Sequence, residues 1–136
     1  MIQGPKKLKF KKTKKGKLKK FNFKPSNNKL IFGILGLKTI NSGFINIKQL
    51  EAARKAIVRH TKRKGKIWIK LSPTLPITAK STGVRMGKGK GQFSHWSART
   101  KGGTIIFEIC GININNMIFA LKAGGKKLPV QTQIFN

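Results

Sequence analysis

Alternating apolar and polar residues predict strands in the first half of the chain. In KIWIKL (66–71) every second residue is isoleucine or leucine, which is the period of a strand with one buried face. Residues 29–47 mix glycines with apolar and β-branched residues, and Asn41-Ser42-Gly43 interrupts them. We therefore expect two short antiparallel strands with a turn at 41–43, and a half-buried strand at 66–71.

The second half of the chain predicts a hairpin and an edge strand. QFSHWSART (92–100) and TIIFEI (104–109) have strand character, and Lys101-Gly102-Gly103 between them has the residues of a tight turn. The stretch SPTLPITAKSTG (72–83) is rich in proline and serine and is predicted to be an irregular connection. LPVQTQIF (128–135) is expected to return as an edge strand.

Helical spacing of apolar residues predicts a helix over about 47–64. Asn46 is a favourable N-cap with Gln49 three residues further on, and Gly65 stands where a left-handed residue would end the helix. One predicted face carries Leu50, Ala53, Ile57 and Thr61. The opposite face carries the cations Lys48, Lys55, Arg59, Lys62 and Arg63. We expect the apolar face to pack on the domain and the cationic face to contact a polyanion.

A second, shorter helix is predicted after Asn113, with Gly124 at its end. Its expected buried side consists of Ile114, Met117, Ile118 and Leu121. The order of elements predicts an α+β fold, which is a single compact domain of mostly antiparallel sheet with two helices. A basic N-terminal extension precedes it.

Charge then changes the picture more than any motif does. The chain has 136 residues, of which 31 are Lys or Arg and 2 are acids, so its formal net charge is +29. Pairing within the chain cannot neutralise this excess, and a compact free monomer would repel itself. A polyanion is therefore the expected partner, with nucleic acid ahead of an anionic membrane surface.

The N-terminal block 6–24 contains 11 lysines and no acid. Such a segment has too little apolar surface to fold alone, so it is either a solvated tail, a targeting peptide or an arm that orders along phosphates. It contains neither serine nor arginine, which disfavours a transit peptide. The charge favours the arm.

RMGKGKG (85–91) alternates cations with glycine. Glycine lets the backbone approach a phosphate or sugar closely, and the lysines add point charges beside the exposed N–H groups. A flexible linker would more naturally use serine and glutamate. We interpret the segment as a loop that penetrates folded nucleic acid.

Several function classes are not expected. The longest apolar run, LIFGILGL (30–37), is shorter than the roughly 20 residues of a spanning helix. The two acids, Glu51 and Glu108, are far apart in sequence, as are His60 and His95, so neither an acid–base pair nor a metal-ligand cluster is predicted. We expect no enzyme activity, catalytic residue, cofactor or metal, no membrane partner and no homo-oligomer.

The ordered motifs resemble a known family. They are PKKLKFKKTKKGK near the start, FGILGLK (32–38), QLEAARKAIVRHTKRKGKIWIK (49–70), PIT (76–78), VRMGKGKG (84–91), Trp96 and KLPVQT (127–132). Together they resemble the ribosomal large-subunit protein sixteen family, bacterial type, almost from end to end. The resemblance implies an α/β-hammerhead-like domain that binds large-subunit rRNA near the peptidyl transferase centre. It also implies a role in organising A- and P-site tRNA and contacts with neighbouring large-subunit proteins.

By position, the resemblance assigns two groups of residues. The rRNA-binding group is Lys6, Lys7, Lys9, Lys11, Lys12, Lys14, Lys15, Lys17, Lys48, Lys55, Arg59, Lys62, Arg63, Lys66 and Lys70. The tRNA-facing group is Arg85, Met86, Gly87, Lys88, Gly89, Lys90 and Gly91. The expected division is an rRNA-ordered arm (1–28) and an α+β domain (29–136) with the tRNA-facing loop at 81–95.

The composition also bears on the compartment. Ile, Lys, Asn and Phe are frequent and Tyr is absent, a bias typical of A/T-rich genes. We therefore expect a mitochondrial ribosome, with the bacterial cytoplasm or another organelle as the alternative. A free, non-specific nucleic-acid-binding or RNA-chaperone protein is the alternative function.

Overall fold

Two antiparallel sheets and two helices make up the computed structural model, which describes residues 4–6, 9–10, 12–18 and 29–136. In chain order the elements are β1 (Leu35–Thr39), β2 (Gly43–Asn46), α1 (Ile47–His60), β3 (Lys66–Ile69), β4 (Leu75–Ala79), β5 (Gln92–Thr100), β6 (Ile105–Cys110), α2 (Ile114–Gly125) and β7 (Thr132–Phe135). The four-stranded sheet has the order β3-β6-β1-β7 and the three-stranded sheet the order β2-β5-β4. The predicted α+β domain is confirmed, as are the half-buried strand β3 and the edge strand β7.

Both hairpins predicted at the glycine-containing turns are wrong. β1 pairs with β6 in one sheet, whereas β2 pairs with β5 in the other. The segments at 40–42 and 101–104 lie opposite each other, and Gly102 donates its N–H to Ser42 Oγ at 3.3 Å. They form the corner at which one long two-stranded ribbon passes from sheet to sheet. The turns were predicted at the correct residues, but each strand beside a turn pairs with a strand that is distant in sequence.

The predicted connection at 72–83 is also wrong in part, because it contains β4. β4 pairs with β5 in antiparallel register, with Pro76 opposite Trp96. It is an edge strand of the three-stranded sheet. An edge strand tolerates a proline, because the missing N–H is not needed on the outer side. β4 and β5 thus form a hairpin whose connection is the segment 80–91.

Helix α1 begins as predicted and ends four residues early. The Asn46 N–H is bound by Gln49 Oε1 at 2.9 Å, and Asn46 Oδ1 accepts the Lys48 N–H at 3.1 Å. The helix ends at His60 rather than at 64. Lys62 follows in the left-handed region with φ 50°, so it, and not Gly65, is the residue that terminates the helix.

Helix α2 begins after its predicted cap Asn113, but two details of the prediction are wrong. Ile114 is 54% exposed rather than buried. Gly124 lies inside the helix and is buried. A Cβ there would stand 2.6 Å from Ile57 Cγ1 of α1. This glycine permits the close packing of the two helices. Met117, Ala120 and Leu121 supply the rest of the buried face.

The core lies between the helices and one face of the four-stranded sheet. It contains the apolar residues of α1 and α2 together with Leu35, Leu37, Phe107 and Ile109. The other face of that sheet carries a row of cross-strand neighbours, in which Trp68, Glu108 and Gly36 lie side by side. Residues 30–33 cover this row, with the Leu30 side chain against Gly36.

Candidate nucleic-acid interface

A cationic groove lies along the C-terminal half of α1. Its volume is about 420 Å³, and it is lined by Arg54, Lys55, Val58, Arg59, Lys62 and Arg63. Four of these cations were predicted to share one face of the helix, and the structure brings them together. The C-terminal end of a helix carries partial negative charge, so attraction of an anion here depends on the side chains alone.

The backbone that follows α1, at the edge of the groove, has an unusual conformation. The Lys62 N–H is bound by Arg59 O and the Arg63 N–H by Val58 O, both at 3.1 Å, which is a Schellman arrangement. Lys62 and Arg63 both have positive φ, 50° and 62°. Glycine is the usual residue for this role, and a side chain there costs roughly 1–2 kcal/mol. Two adjacent cations thus occupy strained positions at the groove.

The acid of α1 does not reach the groove as a free charge. Glu51 is 8% exposed, and its Oε1 lies 2.8 Å from Arg54 Nη2. Arg54 Nε also donates to Glu51 Oε2 at 3.1 Å. These hydrogen bonds raise the pKa of Arg54 above its ordinary value. Glu51 therefore orients one guanidinium at the groove wall and neutralises it, while Lys55, Arg59, Lys62 and Arg63 stay exposed.

The second acid is buried under residues 30–33. Glu108 is 0% exposed, and its Oε2 accepts the N–H groups of Ile31, Phe32 and Gly33 at 3.2, 2.8 and 3.0 Å. Its Oε1 lies 3.8 Å from Lys70 Nζ, an ion-pair distance that is too long for a hydrogen bond. Burial by itself raises the pKa of Glu108, but the three N–H groups and Lys70 more than offset this and lower it.

Both acidic side chains of the chain are therefore internal. Glu51 and Glu108 are the only Asp or Glu residues in the sequence, and both are buried. The described surface consequently exposes Lys and Arg side chains without any acidic side chain between them. Ordinary protein surfaces intersperse both signs of charge. A surface of one sign attracts polyanions over the whole molecule.

The glycine–lysine loop is the connection between β4 and β5. All residues from 80 to 90 are exposed, and Met86 is 97% exposed. Gly87, Lys88 and Gly89 have φ values of 89°, 53° and 77°, and open space surrounds the position that a Cβ would take at both glycines. Glycine is favoured at positions 87 and 89 by the left-handed backbone, which Lys88 between them also adopts. Lys80 Nζ donates to Gly87 O and braces the loop.

The described part of the N-terminal arm lies against this same loop. Lys90 Nζ donates to Thr13 O at 2.6 Å, and Lys12 Nζ donates to Lys90 O at 3.3 Å. Further along, Arg99 donates to Lys15 O, and Lys15 Nζ lies 4.6 Å from the centroid of the Phe44 ring. The arm and the loop, which the sequence treats as separate features, are thus in direct contact.

The structure places the predicted residues in three regions. Lys6, Lys9, Lys12, Lys14, Lys15 and Lys17 are exposed along the arm, whereas Lys7 and Lys11 lie outside the described residues. Lys55, Arg59, Lys62 and Arg63 line the groove, with Lys48 exposed at the opposite end of α1. Lys66 is exposed at the start of β3, but Lys70 is directed to Glu108 and Phe32.

Sequence reasoning missed Arg54, Arg99 and Lys80. Arg54 lies three residues after Glu51 on α1, a spacing that places the two side chains together on a helix. Arg99 and Lys80 had no such signal, because their partners are on the arm and on the loop tip.

Two further observations concern the described residues. No group of three His, Cys, Asp or Glu side chains approaches a metal-binding arrangement in that part of the chain. Neither of its helices combines the length and the apolar character of a membrane span.

Comparison with known proteins gives a family. The model of the family "Ribosomal protein L16p/L10e" matches residues 5–135. The chain is 45% identical over 134 residues to the large ribosomal subunit protein uL16 of Paracoccus denitrificans, covering 98% of this chain and 96% of the relative. The uL16 proteins of Sinorhizobium fredii and Bartonella quintana are each 44% identical over 133 residues, covering 98% and 95%. The matched family is one of ribosomal proteins and not of enzymes. The chain belongs to the ribosomal protein L16p/L10e family.

Proposed function

We propose that this protein is a structural component of the large ribosomal subunit, where it binds rRNA near the peptidyl transferase centre and helps to organise A- and P-site tRNA. The observation that carries the proposal is the internal position of both acids, Glu51 and Glu108. All exposed ionisable side chains of the described surface are then cations or histidines, and the net charge is +29. Phosphates supply the missing charge, with a gain in free energy from released counterions.

The α1 groove is the proposed rRNA-binding site of the domain. Its exposed cations stand on two helical turns and the following left-handed pair, so they face one concave surface. Arginine binds a phosphate through two parallel N–H donors, whereas lysine acts as a point charge. Arg59 and Arg63 are the proposed phosphate clamps, and Lys55 and Lys62 are the proposed flanking charges.

The loop at 80–91 is the proposed tRNA-facing element. Met86 at its tip is almost fully exposed, and the bare backbone at Gly87 and Gly89 can approach a sugar or phosphate closely. Lys88 is exposed beside them. In this proposal the protein positions tRNA, and the rRNA performs the chemistry.

The proposed compartment is the mitochondrion, supported by an amino-acid composition typical of A/T-rich genes, with a bacterial cytoplasm or another organelle as the alternative. The bacterial relatives are compatible with either. Cell fractionation followed by detection of the chain in purified ribosomes of each compartment decides between them.

Sedimentation tests the proposed function. We expect the full chain to migrate with the large subunit in a sucrose gradient at moderate salt. Arg59→Gln combined with Arg63→Gln should release it at lower salt than the wild type. Lys126→Gln combined with Lys127→Gln removes the same charge from an exposed site outside the groove and should release it much less. Equal release by both pairs would exclude the groove as a specific site. Absence from the large subunit, with tight binding to free RNA, would establish the chaperone alternative.

A further inference from the structure

Residues 30–33 form a rigid cover on the four-stranded sheet. Three successive N–H groups, of Ile31, Phe32 and Gly33, are bound to one buried carboxylate oxygen of Glu108 at 2.8 to 3.2 Å. Gly33 itself is close-packed, because a Cβ there would lie 2.8 Å from the Glu108 Cβ and from the Ile109 nitrogen. The Phe32 backbone is therefore held in place by Glu108 and by the close packing of Gly33 on the sheet.

The Phe32 side chain is also held in one orientation, although more than half of it is exposed. Its ring stacks on Trp68, with centroids 5.8 Å apart and planes inclined by 20°. Lys70, two residues after Trp68 and just beyond the end of β3, places Nζ 4.7 Å from the Phe32 centroid. Phe32 is still 55% exposed, and its neighbours Ile31 and Ile34 are 68% and 53% exposed. An oriented aromatic ring is thus presented at the surface beside a cation.

The charge around the ring selects its partner. Lys29 precedes it as an exposed cation, Lys66 is exposed at the start of β3, and neither buried acid reaches the surface. An apolar patch on a partner protein would gain nothing from this rim of cations. An unpaired nucleotide uses both features, because its base stacks on the ring and its phosphate pairs with a lysine.

We propose that Phe32, supported by Trp68 and Lys70, is a stacking platform for one unpaired base of RNA. The platform is separate from the α1 groove and from the loop at 80–91. It depends on the proposed function only for identifying that RNA as rRNA. Its specific consequence is that a single-stranded nucleotide binds here, whereas the groove binds phosphates of any RNA.

The test compares two oligonucleotides of equal charge. The full chain is titrated with hexaadenylate and with an abasic hexamer that has the same phosphates, and the ratio of the two affinities isolates base stacking. Removing the ring by Phe32→Leu should lower that ratio about fivefold or more, since stacking of one base on an aromatic side chain has an effect of this size. Phe32→Tyr keeps a ring and should retain the wild-type ratio.

Phe119→Leu is the matched control, because Phe119 is 62% exposed but stands on α2 against His60. It should leave the ratio unchanged, and affinity for the abasic hexamer should be the same in every variant if all are folded. An unchanged ratio in Phe32→Leu, or an equal loss in Phe119→Leu, overturns the proposal. The proposal is also overturned if large subunits with Phe32→Leu lose a neighbouring ribosomal protein while the affinity ratio is unchanged. That result would assign the surface at Phe32 to a protein partner. Sedimentation of the wild type with the large subunit is scored separately, so failure of the proposed function is recognised independently.

Discussion

At the scale of single residues, the most informative positions are those at which a side chain occupies a place that it does not favour. Lys62 adopts φ 50° at the end of α1, where glycine would avoid the steric cost. Glu108 is a carboxylate with no exposed surface. Strained or buried polar residues concentrate at functional sites, and these two lie beside the groove and beneath the proposed platform.

Lys62→Gly should stabilise the isolated protein and weaken its attachment to RNA. Relief of the left-handed strain is expected to raise the free energy of unfolding by about 1 kcal/mol. Loss of one phosphate contact should make the slope of log affinity against log salt shallower by about one. Urea unfolding and RNA titration at several salt concentrations measure the two effects. Lys55→Gly is the control, because at a helical position it removes the same charge and should lower stability instead.

Glu108→Gln should destabilise the fold by about 2 kcal/mol at neutral pH, because the three N–H groups lose a charged acceptor. The folded-state pKa of Glu108 is lowered. Its stabilising effect is therefore complete above the unfolded pKa and is lost as the pH falls through the folded one. Urea midpoints measured between pH 7 and about 3 should decline less steeply towards acid in the variant than in the wild type. Parallel declines would show that Glu108 does not determine acid stability.

At the scale of elements, the decisive feature is which strands pair. The sequence located every strand except β4, but it assigned four of them, β1, β2, β5 and β6, to the wrong partners. Turn residues at 41–43 and 101–103 indicate that the chain bends, and a bend at a sheet corner uses the same residues as a hairpin. β4 was missed because it contains Pro76 and lies within the proline- and serine-rich segment 72–83, and only pairing with β5 makes it a strand.

The contact between the arm and the loop gives a prediction for two neighbouring lysines. Lys90 Nζ binds Thr13 O, whereas Lys88 is exposed at the loop tip. Lys90→Ala should therefore increase amide hydrogen exchange across residues 12–18, and Lys88→Ala should not. Both should weaken tRNA binding to purified subunits more than they reduce assembly, while deletion of 6–24 should do the reverse. Equal exchange in the two variants would mean that the Lys90 contact does not hold the arm.

At the scale of the whole molecule, the distribution of charge is the dominant property. Both acids are buried inside the fold, so the exposed positive charges of the described surface repel one another. The energy of this repulsion is released when phosphates surround the protein. The fold and the RNA are therefore expected to stabilise each other.

Salt should consequently act in opposite directions on stability and on binding. Raising the salt from about 0.1 to 1 M shortens the Debye length from roughly 10 to 3 Å, which screens the repulsion within the isolated chain. Its melting temperature should rise over this range, while its affinity for RNA falls steeply. Calorimetry and RNA titration in the same buffers test this. A melting temperature that falls with salt would contradict the dominance of surface repulsion.

The sequence by itself determined the fold class, the positions of both helix starts, the excess of positive charge and the glycine–lysine loop, since each depends on local periodicity, capping or composition. Only the tertiary structure decided the pairing of the strands, the early end of α1 and the burial of both acids. It also decided the contact of Lys90 with the arm and the stack of Phe32 on Trp68. These features join residues that are far apart in the chain or depend on what packs around a residue. Such features are set by packing and geometry, which no local pattern encodes.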